Sequence, residues 1–465
     1  MEETKKETEE LKVEEQGQIV AAIDIGTTKI VAIVGEKNSD NTLRILGMGK
    51  SKSLGVKRGV VQNIEKTINS IETAINLAEN EAGVKIDEVF IGIAGQHVRS
   101  MKNRGYIIRE NDDNEISKED INHLVSDMYK LPVNSGEEIL HVLPQSYIVD
   151  DEFDVEPIGM HGRKLEGNFH IVIAQTTSAK NIKKCIKKAG LKDKDLILEP
   201  IASSDAVLTE DEKEVGVVMV DIGGGTSDMA IYYDKKIVHT AVIPFGGDVI
   251  TKDIKKELGI IETDAEKLKV NHGSALPEAV NPNSFITIRG ISNRPDKEIS
   301  QKFVAEIINA RMVEIIGAIE YQIELTGLST KLGAGIVLTG GGALLNNLRQ
   351  LMAFKTGMDI RIGTPNTLLV DNLNEELNKT MYATSIGLII RGFNVLENNM
   401  IINNIWDKSD YIAEEKQEEE KQEPLSKKEE KKKKKEKKKE ENEVGFGTRL
   451  KDKLMDILTD TDKDL

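Results

Sequence analysis

The feature that most constrains this chain is an internal repeat. IVAAIDIGTTKIVAIVG (19–35) and GVVMVDIGGGTSDMAIYYD (216–234) share one layout. Each has an apolar strand, then Asp-Ile-Gly, then turn residues drawn from Gly, Thr and Ser, then a second apolar strand. Their aspartates, Asp24 and Asp221, stand 197 residues apart (221 − 24). Two matching hairpins at this separation predict a duplicated α/β domain with a cleft between the copies.

The rest of the chain fits that plan. From Gln18 to about Asn403, apolar strands alternate with amphipathic helices. The pattern predicts strands at Ile19–Ile25 and Val215–Val220 and a helix over about 65–81. A long helix over about 300–325 carries Phe303, Ile307, Ile308, Val313, Ile316, Ile319 and Ile323 at helical spacing. With 465 residues, 39% of them hydrophobic, the chain can bury a sizeable core in two or three domains. Its net charge of −16 argues against general nucleic-acid affinity. Cys185 is the sole cysteine, so no intramolecular disulfide forms, and it reads as a small buried side chain. No stretch reaches the roughly 18 apolar residues of a membrane span. The acidic start, MEETKKETEELKVEEQG, has no apolar run and is no secretory signal, which points to the cytoplasm.

Each hairpin has the makings of a phosphate site. A strand delivers Asp24 to the sheet edge, and Gly26, Thr27 and Thr28 follow at once. Glycine lets backbone N–H groups turn outward and approach closely, threonine hydroxyls add donors, and Lys29 adds a point charge. Gly223, Gly224, Gly225, Thr226 and Ser227 repeat the arrangement from the opposite side. Two facing turns of this kind would clamp a polyphosphate, with Asp24 and Asp221 holding a hydrated Mg²⁺. A third motif, AGIVLTGGGALLNNLRQLM (334–352), reads as strand, Gly340-Gly341-Gly342, then helix, which places close-approach residues at a helix N-terminus. The chain has no GxxxxGK[ST] and no GxGxxG, so P-loop and dinucleotide-binding readings fall away.

The motifs AIDIGTTK (22–29), EPIASSDA (199–206), VDIGGGTSD (220–228), LTGGGALL (338–345) and MYATSIGL (381–388) occur in that order. They resemble the phosphate-1, connect-1, phosphate-2, adenosine and connect-2 elements of the actin, DnaK-chaperone and sugar-kinase superfamily. The resemblance implies an actin-like fold around an ATP cleft. Asp24 and Asp221 would flank Mg²⁺, with Gly26, Thr27, Thr28 and Gly223 to Thr226 on the phosphates and Gly340 to Gly342 beside ribose and adenine. Glu199 matches the glutamate that orients the attacking water in relatives, and Glu266 and Lys269 match a pair lining the adenosine pocket. At most a weak Mg-dependent ATPase is implied.

Within the superfamily the chain is similar to the FtsA family of bacterial cell-division proteins. GVKRGVVQNIEKTINSIETAINLAENEAG (55–83) and VFIGIAGQHVRS (89–100) look like its first subdomain, and FGGDVITKDIKKELGI (245–260) like its glycine turn and helix. The mixed stretch from about 103 to 177 sits where that family carries an inserted subdomain. The expected organisation is an acidic disordered segment (1–17), domain 1 (18–102, 179–214 and 376–403), an insert (103–178) and domain 2 (215–375). A charged linker (404–442) and an amphipathic helix (443–460) follow.

The tail speaks for itself. Residues 427–439 hold ten lysines against three glutamates, and such blocks repel and extend. Beyond them Phe446, Leu450, Leu454, Ile457 and Leu458 fall within about 120° of a helical wheel, with Arg449, Asp452, Lys453 and Asp456 opposite. This reads as a helix lying in a membrane interface, with the lysines adding attraction to anionic lipid. The resemblance implies such a helix too. It also implies a helix of domain 2 that contacts the C-terminal peptide of the tubulin-like FtsZ, through Arg311 and Glu314 one turn apart. The expected protein self-assembles at the cytoplasmic face of the membrane at the division site, tethers FtsZ and recruits later division proteins. A small-molecule kinase or another actin-like ATPase is the alternative, and neither would need the terminal helix.

Overall fold

The computed structural model describes residues 18–38, 42–109, 115–290, 292, 294–365 and 375–397. The chain begins with three antiparallel strands, β1 (Ile19–Ile25), β2 (Lys29–Lys37) and β3 (Leu43–Lys52). A two-residue hairpin, β4 (Val56–Lys57) and β5 (Val60–Val61), leads into helix α1 (Ile64–Ala82). Asn63 starts α1 where a cap is needed, its side chain accepting the Lys66 N–H, and Gly83 ends it in the left-handed region. Strand β6 (Glu88–Ile93) returns to the sheet parallel to β1.

The insert follows. Strand β7 (Val98–Ile108), helix α2 (Lys118–Tyr129) and strands β8 (Glu137–Val149), β9 (Glu152–Phe153) and β10 (Lys164–Gln175) form it. Its antiparallel sheet runs β7-β10-β8-β9. Though it reads as polar, it has its own core of Leu124, Met128, Val142, Leu165, Phe169 and Ile171 among others. Pairing starts at Val98, opposite Ala174, ahead of position 103.

Helix α3 (Thr176–Lys188), with Cys185 buried in it, and strand β11 (Lys192–Leu198) complete a sheet ordered β11-β6-β1-β2-β3. Helices α4 (Glu199–Val207) and α5 (Glu210–Val215) then lead to the second copy. Val215 ends α5 rather than opening a strand, because the left-handed Gly216 (φ 103°) stops the helix.

Strands β12 (Val217–Ile222), β13 (Ser227–Tyr233) and β14 (Lys236–Ile243) repeat the opening three. They are followed by helices α6 (Gly247–Leu258) and α7 (Glu262–His272) and the hairpin β15 (Phe285–Ile288) and β16 (Lys297–Ser300). Next come the long helix α8 (Gln301–Glu324), strand β17 (Ile336–Thr339), helix α9 (Leu348–Thr356) and strand β18 (Ile360–Ile362). The sheet order β14-β13-β12-β17-β18 mirrors the first sheet strand for strand. The registers match as well. Asp24 faces Val31 and Asp221 faces Asp228, each pair seven residues apart.

Helix α8 packs along this second sheet through Val304, Ile308, Met312, Ile315, Ile316, Ile319 and Ile323. Phe303, expected in that stripe, is instead 43% exposed, and Val313 is half-buried. The last described helix, α10 (Ala383–Glu397), crosses α4 at Gly387, where an added Cβ would lie 1.8 Å from the Ala202 carbonyl oxygen. Among the described residues no helix is long and apolar enough to cross a membrane.

Candidate functional site

The two Asp-Ile-Gly turns meet face to face. A Cβ on Gly224 would lie 1.9 Å from Thr28 Oγ1, and one on Gly225 would lie 2.3 Å from Thr27 Oγ1. Only glycine permits this approach, so Thr27 and Thr28 of one copy pack directly on the backbone of the other. Gly223 N–H donates to Thr226 O at 2.9 Å and closes the second turn, and Gly26 approaches the Lys29 carbonyl within the first.

Three hydroxyls from the connecting helices fix the aspartates. Ser385 Oγ donates to Asp24 Oδ2 at 3.0 Å. Ser203 Oγ and Thr384 Oγ1 both donate to Asp221 Oδ2, at 2.9 and 3.0 Å. Ser203 belongs to α4, and Thr384 and Ser385 open α10. One carboxylate from each sheet is thus held by helices that join the two.

The site carries an excess of buried negative charge. Burial raises the Asp24 pKa, Lys29 and the Ser385 bond oppose it, and Asp221 adds to the rise. Burial also raises Asp221, against the Ser203 and Thr384 hydrogen bonds and Lys29. Asp228 and Glu199 stand well above the usual carboxylate range. For Asp228 the causes are burial, then Asp221; for Glu199 they are burial, then Asp24, Asp228 and Asp221. By surface area Glu199 is half-buried at the start of α4, where the three neighbouring acids disfavour its charged form. Asp228 Oδ2 accepts from Thr226 Oγ1 at 3.0 Å, while its Oδ1 is buried with no partner among the described residues.

The other expected residues are placed as follows. Lys29 Nζ donates to Met381 O at 2.5 Å and lies 4.0 Å from the Tyr382 ring centre, so its ammonium is engaged by the returning segment; burial lowers its pKa. Glu266 and Lys269 form an ion pair at 2.7 Å on α7. Lys269 also donates to Gly247 O and Thr251 Oγ1, and Glu266 accepts from Thr251 Oγ1. Gly247 N–H in turn donates to Gly223 O, so this pair reaches the second turn through α6.

Gly340, Gly341 and Gly342 do not open an α-helix. A short 3₁₀ turn (Gly342–Leu344) follows, and α9 starts only at Leu348, after Asn347 in the left-handed region (φ 62°). Gly340 and Gly342 pack instead on Asp221 and Ile222.

Arg311 and Glu314 are paired with each other on α8, and Arg311 also forks onto Asp253 of α6, at 2.6 and 3.2 Å. Phe446, Leu450, Leu454, Ile457 and Leu458 lie outside the described residues. Sequence reasoning assigned no role to Asp228, Ser203, Thr384, Ser385 or Asp253. The first four stand inside the recognised motifs, at positions where only packing reveals what they touch.

The likenesses to known proteins agree with this geometry. A family model described as cell division protein FtsA matches residues 218–387, and one for the SHS2 domain inserted in FtsA matches 95–173. The model of the type IV pilus assembly protein PilM matches 152–283. Cell division protein FtsA of Pseudomonas aeruginosa is 37% identical over 387 residues, covering 83% of this chain and 92% of that protein. The Escherichia coli K12 protein of the same name is 33% identical over 383 residues, covering 81% and 90%.

Among solved structures, the PilM–PilN type IV pilus biogenesis complex aligns with a TM-score of 0.59 at 14% identity, covering 80% of this chain and 98% of the other. MreB5 of Spiroplasma citri bound to ADP aligns with a TM-score of 0.51 at 16% identity, covering 83% and 99%. At such identities the two structures speak for the fold, which is actin-like with an SHS2 insert. With two full-length relatives above 30% identity and two family models in register, the chain belongs to the FtsA family of cell-division proteins.

Proposed function

We propose that this protein binds ATP with Mg²⁺ between its two sheets, self-assembles on the inner face of the cytoplasmic membrane, and tethers the tubulin-like FtsZ polymer there. Later division proteins join the assembly. The observation that carries the reading is the pair of facing turns whose aspartates are locked by Ser385, Thr384 and Ser203. Solved relatives of the same fold were obtained with ADP and with AMPPNP, which supports a nucleotide in this cleft.

The residues fit a divalent cation. Asp24, Asp221 and Asp228 are buried with Glu199 half-buried beside them, Asp221 adds to the raised pKa of the other three, and Asp228 Oδ1 lacks a partner among the described residues. Among the described residues no three His, Cys, Asp or Glu side chains converge enough to chelate an ion directly. Asp24 and Asp221 would therefore hold Mg²⁺ through water. When bound, the ion would offset phosphate charge.

In this reading the protein's own groups do the positioning. Gly26 to Thr28 and Gly223 to Thr226 cradle the phosphates with backbone N–H groups and hydroxyls. Gly340 to Gly342 border the ribose and adenine, and Glu266 and Lys269 line the adenosine pocket. Glu199, at the start of α4 near Asp24 and Asp221, accepts a hydrogen bond from the attacking water. Any hydrolysis is weak in this reading. Arg311 and Glu314 receive the FtsZ C-terminal peptide, and the terminal stripe from Phe446 to Leu458 anchors to anionic lipid.

The test is co-sedimentation of the full chain with anionic liposomes and FtsZ polymer, with and without MgATP. Wild type should carry FtsZ to the liposomes in an ATP-dependent way. Asp221→Ala should lose the ATP dependence, with at least about tenfold weaker nucleotide binding, or about 1.4 kcal/mol. FtsZ recovery that ignores both ATP and this substitution would overturn the reading.

A further inference from the structure

The hairpin β4–β5 has a turn of only two residues. Val56 faces Val61 and Lys57 faces Val60, so Arg58 and Gly59 form the whole reversal. Both have positive φ, 51° and 72°. That is the mirror-image turn favoured by Asn-Gly, and a long side chain at its first position is held under strain. Asparagine would relieve the strain; arginine keeps it.

This strained turn stands against the candidate site. Gly59 N–H donates to Thr27 Oγ1 at 3.1 Å, the same hydroxyl that Gly225 approaches from the other copy. Ser53 N–H, just before the hairpin, donates to Thr28 O at 3.1 Å. On its far side Gly59 lies on the backbone of Ala94 and Gly95, immediately past β6. Gly92, near the end of β6, lies against the Glu199 side chain. Arg58 therefore sits between the first turn and the strand end that abuts Glu199.

Two further facts single it out. Ser53 Oγ and both ring nitrogens of His97 are buried without a hydrogen-bond partner among the described residues. Arg58 itself is half-buried and makes no ion pair or side-chain hydrogen bond among the described residues. Two other cations near the turns are engaged within the protein, Lys29 with Met381 O and Lys269 with Glu266. A guanidinium grips phosphate oxygens in a fork, and here it would add to the charge that Mg²⁺ supplies at an acid-rich site.

We propose that Arg58 binds the terminal phosphate of a nucleoside triphosphate and gives the site its preference for the triphosphate over the diphosphate. This rests on the nucleotide reading above.

The test is calorimetric titration of MgATP and MgADP into the full chain, wild type against Arg58→Asn and Arg58→Lys, with melting temperatures for each. Asparagine suits the turn, so Arg58→Asn should melt no lower than wild type. It should bind MgATP at least about tenfold more weakly while MgADP affinity shifts by less than about twofold. Arg58→Lys, which keeps charge and loses the fork, should fall between. Equal losses for both nucleotides, or no loss, would overturn the role of Arg58 and leave the nucleotide reading standing. Wild type that binds neither nucleotide would remove both.

Discussion

Thr384 and Ser385, adjacent at the start of one helix, hold the two aspartates of opposite sheets: Thr384 reaches Asp221 and Ser385 reaches Asp24, each at 3.0 Å. Successive side chains of a helix point about 100° apart, which is the spread needed to address both sheets from one backbone.

That arrangement predicts a graded loss. Thr384→Val keeps the shape and removes the donor to Asp221, which retains Ser203. Nucleotide affinity with Mg²⁺ should fall by a few fold, on the order of 1 kcal/mol. Ser385→Ala should act similarly through Asp24. In a fluorescence titration the double variant should bind more weakly than either single one; wild-type affinity in the double variant would detach α10 from the site.

Asp228 gives a pH prediction. Its folded pKa is raised, first by burial and then by Asp221, above the roughly 3.9 of an unfolded aspartate. Between those two values the native state binds a proton that the unfolded chain has released, so stability falls as pH rises through that window. Asp228→Asn removes the penalty. Without nucleotide and with chelator present, it should melt a few degrees higher than wild type at pH 8 and no higher at about pH 3. A melting difference that is the same at both pH values would refute the charge explanation.

Arg311 is held by Asp253 as well as Glu314, so its readiness for a partner depends on α6. Arg311→Glu should weaken binding of the FtsZ C-terminal peptide at least about tenfold, 1.4 kcal/mol, with ATP affinity intact. Asp253→Asn, which loosens the fork, should weaken it less. Anisotropy titrations giving one affinity for all three proteins would take this face of α8 out of the interface.

The terminal stripe concerns residues outside those described. Each buried apolar side chain contributes on the order of 1–2 kcal/mol. Ordering the helix on a surface offsets much of that gain. One such helix would then bind weakly, and assembly would supply avidity. Leu450→Asp puts a charge amid the stripe and should release the protein from anionic liposomes without changing ATP affinity. Sedimentation of that variant at moderate salt would mean that the helix is not the anchor.

Much of this was legible because duplication repeats chemistry as well as shape. The seven-residue spacing of Asp24 to Val31 and Asp221 to Asp228 marks two hairpins in one register, and the facing of Thr27 and Thr28 with Gly224 and Gly225 follows from it. What stayed hidden depends on distant contacts. Ser385 finds Asp24 across 361 residues and Thr384 finds Asp221 across 163, and no local pattern encodes such pairs. The glycine run at 340–342 misled for a local reason. Asn346-Asn347 looks compatible with a helix, yet asparagine tolerates the left-handed region, and Asn347 takes it, delaying α9 to Leu348. Lys29, apparently free in the sequence, is claimed by a carbonyl 352 residues away.

The crossing of α4 and α10 at Gly387 has a mechanical consequence. With no room for even a methyl group beside the Ala202 carbonyl, the helices touch backbone to backbone, as two blades of scissors touch at their rivet. A rivet fixes one point and leaves rotation about it as the easy motion. Ser203 and Ser385, whose hydroxyls hold Asp221 and Asp24, stand one and two residues from that contact, so such a rotation would shift the aspartates little. Elements farther out sweep the larger arcs. A small change of fit at the turns would thereby be magnified at the periphery.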